Sequence, residues 1–145
     1  MLALLAVAVA VVVLMSEVGS HARFVEQVRV PQLQRIAQLE LDLTRVSAQL
    51  RHAILARTPE ERDAALADAD AKRRALGETL EAVGRGMVTP EGKALFAPWP
   101  ELLRAFGTVV EENVALIREG RKAEAFAFLA DRTGPVRDRL LAPLS

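Results

Sequence analysis

Two side chains in this 145-residue sequence stand where they could hold a small anion, Arg45 and Arg51. A guanidinium at the edge of an apolar helix stripe can pair bidentately with a carboxylate through its planar fork of donors. Arg45 and Arg51 flank Val46 and Leu50, so they lie beside such a stripe rather than opposite it. Arg45, Gln49 and His52 share one flank, and Thr44, Ser47 and Arg51 share the other. The competing reading is that both arginines snorkel to water or pair with a neighbouring helix. Thr133 and Asn113 fall on apolar seams, where a hydroxyl often bonds back to its own helix and an amide often sets register.

Catalytic chemistry has little to build on. The two histidines, His21 and His52, stand in neither a zinc-type nor a Glu-x-x-His pattern, so no metal or other cofactor is expected. The chain has no cysteine, which removes thiolate sites, disulfides and a thiol nucleophile. Glu60, Glu61, Asp63, Glu111 and Glu112 sit at capping or solvated positions, where helix-dipole compensation accounts for them. The expectation is a binding protein and not an enzyme.

The elements that carry these residues are helices. Ile36, Leu39, Leu43, Val46, Leu50 and Ala53 repeat at 3,4,3,4,3 spacing, which predicts one long helix ending near Ala56. Thr58-Pro59-Glu60-Glu61 then supplies a capping hydroxyl, a proline at the first helical position and a glutamate at the third. The second helix turns Ala69, Leu76, Leu80, Val83 and Met87 inward. Thr89-Pro90-Glu91 starts a third, interrupted near Pro98 and Pro100, with Leu103, Phe106, Val110, Asn113 and Ile117 as its seam. Gly120 caps it, and the fourth is expected to face inward through Phe126, Leu129, Thr133, Val136 and Leu140. Short connections favour an all-α, antiparallel up-down-up-down four-helix bundle.

Met1 to Met15 contains no polar side chain. Extended to Gly19, it predicts a transmembrane segment over 1–19 that leads into helix one, with the bundle over 20–145. Pro31 is expected to bend helix one just above the membrane. A cleaved signal peptide is the main competing reading of the run. The formal charge is +0, with 19 basic and 19 acidic residues interspersed, so nucleic acid is not an expected partner.

The stretch LTRVSAQLRHAILARTPEERDAALADADAKRRAL, followed by GMVTPEGKALF, EENVALIREGRKAEAFAFL and DRTGPVRDRLL, resembles a known family. It is similar to the four-helix-bundle ligand-binding domain of bacterial methyl-accepting chemotaxis receptors, the aspartate and organic-acid receptor type. The resemblance implies an inner-membrane protein with its bundle in the periplasm and a homodimer through helix one. It also implies an organic acid or amino acid bound between helices one and four across that dimer. On that pattern Arg45 and Arg51 match the arginines that hold ligand carboxylates, and Thr133 in Asp131-Arg132-Thr133 matches a ligand-binding threonine. The arginine spacing differs from that of the aspartate receptor, so the ligand does not carry over. In that family helix four continues into a second membrane helix, a HAMP linker and a signalling coil. Here the sequence ends at Ser145 with Pro143 in that helix, so the expectation is a shortened fourth helix without an output domain. The alternatives left by the sequence are a membrane-tethered interaction bundle and the sensor of a histidine kinase or cyclase.

Overall fold

The computed structural model describes residues 30–142, and all regular structure among them is helical. The chain divides into two compact units, residues 1–34 and 35–145. The expected transmembrane segment, 1–19, lies outside the described residues. None of the described helices is long and apolar enough to cross a membrane.

Four rods make up the bundle. The first is α1 (Val30–Leu55) and the second α2 (Pro59–Gly86). The third is broken into α3 (Pro90–Phe96) and α4 (Trp99–Arg118). The fourth comprises α5 (Lys122–Phe128), a π-helical turn (Leu129–Thr133) and α6 (Gly134–Leu141).

The predicted seam of α1 is the core of the molecule. Leu39, Leu43, Val46, Leu50 and Ala53 are all buried, and Ile36 is half-buried. Pro31 lies in the first described turn of α1, and the bend expected there falls at the edge of the described residues. Opposing α1 are Leu66, Ala69, Leu76, Leu80 and Val83 of α2 and Phe106, Val110 and Ile117 of α4. Met87 is only half-buried, because it caps α2 instead of continuing it.

The two restarts form as the residue order dictates. Thr58 is extended (φ −123°, ψ 155°), and its hydroxyl accepts from the Glu61 N–H at 3.2 Å. Thr89 does the same for Gly92 at 3.1 Å. Pro98 then breaks the third rod, and the Phe96 and Trp99 rings stack across the break with centroids 6.4 Å apart. Gly120 (φ +73°) makes the turn into the fourth rod, a conformation that a Cβ would strain.

The inner face of the fourth rod differs from the expected one. Leu129, Thr133 and Leu140 are buried, but Phe126 is 49% exposed and Val136 half-buried, while Ala125 is fully buried. The reason is the π turn, in which the Gly134 N–H reaches back five residues to the Leu129 carbonyl. A wider turn carries each residue less far round the axis, so the inward position upstream passes from Phe126 to Ala125. Asn113 fixes this phase, its fully buried Nδ2 donating to the Ala125 carbonyl at 3.0 Å.

Candidate ligand-binding site

Ser47 and Arg51 are one helical turn apart on α1, so they share a face. That face opposes the π turn and the start of α6, and between them lies a groove of about 230 Å³. Its walls are Ser47 and Arg51 on one side and Phe126, Leu129, Ala130, Gly134, Pro135, Arg137 and Asp138 on the other. The local sequence makes this opening. Gly134 has no side chain to fill it, and Pro135 has no N–H to continue the wide turn's bonding to the Ala130 carbonyl.

The groove has a positive surplus, since Arg51 and Arg137 face only one carboxylate, Asp138. Arg137 is engaged with that carboxylate through Nε at 2.9 Å and Nη2 at 2.6 Å. Arg51 has no ion-pair partner among the described residues. Ser47 is 7% exposed, and its hydroxyl has no hydrogen-bond partner among the described residues. A buried hydroxyl without a partner is unfavourable, so Ser47 is a group in want of a bond. A guanidinium and a waiting hydroxyl together suit a small carboxylate.

The residues predicted from sequence are distributed differently around this groove. Arg51 lines it. Arg45, six positions earlier, is turned about 120° away round the helix and lies outside it. Arg45 instead stands over Asp42, Nη1 to Oδ1 3.9 Å, with its own side chain 49% exposed. Asp42 is buried and accepts from Gln38 Nε2 at 2.8 Å. Thr133 is fully buried with an unpartnered hydroxyl, next in sequence to Gly134 of the groove but not itself in the lining. Ser47 was visible as a flank-mate of Arg51. Arg137 was not legible, because next to the expected inward Val136 it reads as one more solvated arginine of the fourth rod.

Other polar groups have structural partners. His52 Nε2 lies 3.1 Å from Glu61 Oε1, and the Arg57 N–H donates to Glu61 Oε2 at 2.8 Å. The backbone N–H of Arg57 first, and then the His52 ring, hold the Glu61 carboxyl below its usual value of 4.5. Arg121 lies between Glu119 and Glu124, and Arg73 between Asp70 and Glu111. Among the described residues no cluster of three His, Cys, Asp or Glu side chains could hold a metal ion.

Against known proteins, the whole chain, residues 1–145, matches the model of a family described as a four-helix-bundle sensory module for signal transduction. No curated protein and no solved structure gives a match. A bundle of four rods and a match over the full length agree. The chain belongs to the family of four-helix-bundle sensory modules for signal transduction.

Proposed function

We propose that this sensory module reads a small carboxylate, an organic acid or an amino acid, bound in the groove between α1 and the fourth rod. The observation that carries the reading is the buried Ser47 hydroxyl beside Arg51, neither of which has a hydrogen-bond or ion-pair partner, respectively, among the described residues. Arg51 grips the carboxylate, Ser47 bonds one of its oxygens, and Arg137 adds charge from the opposite wall. The module binds and does not catalyse.

The ligand site is completed at a homodimer interface. A second stripe on α1 supports this: Ala37, Leu41, Thr44, Ala48, Arg51 and Leu55 are all exposed, at 4,3,4,3,4 spacing. That spacing suits a second helix of the same kind, and Arg51 belongs to both the stripe and the groove. Arg45 and Thr133 act with Arg51 in this reading, Arg45 from the flank that faces away from the groove within one chain. The apolar run of Met1–Met15 anchors the module in the inner membrane with the bundle in the periplasm, as in chemotaxis-type receptors. Ligand binding signals by favouring one of two arrangements of the fourth rod, so the acid must bind the two with different affinity.

The test is a thermal-shift panel on the full chain in detergent, with mono- and dicarboxylates, α-amino acids, inorganic phosphate and simple amines. Stabilisation by at least one carboxylate, and none by the amines, is the expected result. A panel without any carboxylate response overturns the reading.

A further inference from the structure

Two inward lines compete in the fourth rod. Phe126, Leu129, Thr133, Val136 and Leu140 repeat at 3,4,3,4 spacing, the line that one unbroken α-helix would turn to the core. The wide turn at Leu129–Thr133 sets a different line upstream, with Ala125 fully buried and Phe126 49% exposed in the groove wall. Passing the inward position from Ala125 to Phe126 turns α5 by about 100°. The apolar side chains suit both lines, and Leu129 is inward on either. Phe128, about 200° on from Phe126 round the helix, is now half-buried against the core. Turning Phe126 in turns Phe128 out, so each register buries one phenylalanine.

The polar groups are divided between the two registers in the same way. In the wide turn the Gly134 N–H donates to the Leu129 carbonyl, and the Thr133 hydroxyl is fully buried with no hydrogen-bond partner among the described residues. In an unbroken helix that hydroxyl has the Leu129 carbonyl, one turn back, as its acceptor. Against the unbroken helix stand Pro135, whose ring would crowd the Asp131 carbonyl, and Asn113, whose Nδ2 donates to the Ala125 carbonyl at 3.0 Å. One register leaves a buried hydroxyl unsatisfied, and the other crowds a proline and breaks a buried bond, so neither wins by a wide margin.

We infer that the fourth rod exchanges between these two registers and, resting on the carboxylate reading above, that an acid in the groove selects the wide-turn one. Phe126, Leu129 and Ala130 form the upstream wall of the groove in the wide-turn register. Turning α5 carries Phe126 into the core and takes that wall apart. A ligand that fills the groove therefore binds one register better than the other, which is the differential affinity that a sensor needs.

Because the chain has no cysteine, Ala125→Cys and Leu129→Cys each introduce a single thiol, whose labelling by a maleimide under native conditions reports how often the site opens. Position 125 is uncovered by the register change and by unfolding, position 129 by unfolding alone. In the full chain in detergent, the thiol at 125 should be labelled about tenfold or more faster than the thiol at 129. Asn113→Leu, which releases the Ala125 carbonyl, should raise the rate at 125 about threefold or more and leave the rate at 129 within about twofold. An acid that stabilises the chain in the thermal panel should lower the rate at 125 relative to 129 about threefold or more, by holding the wide turn. Equal rates at 125 and 129, or equal acceleration of both by Asn113→Leu, overturn the two registers. An acid that binds without slowing 125 relative to 129 overturns the selection. If no acid binds, the carboxylate reading fails and the selection with it, while the rates without ligand still decide the two registers.

Discussion

Ser47→Ala should move stability and affinity in opposite directions. The Ser47 hydroxyl is buried and has no partner, and such a group costs about 1–3 kcal/mol relative to its hydrated state. Alanine removes it while keeping the methylene that packs against the fourth rod. Without ligand, the variant should therefore be as stable as the parent or more stable, by up to about 1 kcal/mol, a rise of a few degrees in Tm for a domain of this size. With ligand, the same change removes one hydrogen bond. A neutral hydrogen bond contributes about 0.5–1.5 kcal/mol, so the acid should bind roughly two- to tenfold more weakly. Urea melts without ligand and calorimetric titration with the best acid of the panel give the two numbers. If the apo variant loses about 1 kcal/mol or more, the hydroxyl has a structural partner and the reasoning fails. It fails equally if affinity does not change.

Asn113→Asp would bury a carboxylate against the Ala125 carbonyl to which the amide now donates, and it should cost about 3 kcal/mol or more in chemical melts. Asn113→Leu removes both the bond and the unpartnered Oδ1, so it should stay within about 1 kcal/mol of the parent. Glu61 has a folded-state pKa lowered from 4.5, so the stability it lends is complete above about pH 4.5 and is lost as pH falls through the lower folded value. Glu61→Gln should accordingly be less stable than the parent near neutrality and show a shallower loss on acidification, read from thermal melts across that range. Leu41→Glu places like charges on the exposed stripe of α1 and should weaken self-association about tenfold or more by analytical ultracentrifugation, with the helical spectrum unchanged.

The elements were legible wherever one periodicity held from end to end. The α1 seam from Leu39 to Ala53 emerged residue by residue, because a straight α-helix against a core has one phase. Thr58-Pro59 and Thr89-Pro90 marked their helix starts because a capping hydroxyl and a proline act locally. The fourth rod defeated the same logic upstream of its π turn. A wide turn leaves no mark in a 3.6-residue pattern, so Phe126 was expected inward in place of Ala125. Arg51 and Ser47 stand beside a seam that spacing marks, whereas Arg137 carries no mark that sets it apart from the other arginines of the fourth rod. Thr133 was correctly set on the seam, and it is as a fully buried side chain that it appears.

Calorimetric titration of one carboxylate against the parent chain, Arg51→Ala and Arg137→Ala bears most directly on the sensing claim. Removing a charge-assisted bond is worth about 1.5–3 kcal/mol, so Arg51→Ala should weaken binding roughly ten- to hundredfold, and Arg137→Ala less, since that guanidinium already holds Asp138. Equal affinities for the parent and Arg51→Ala would contradict the account.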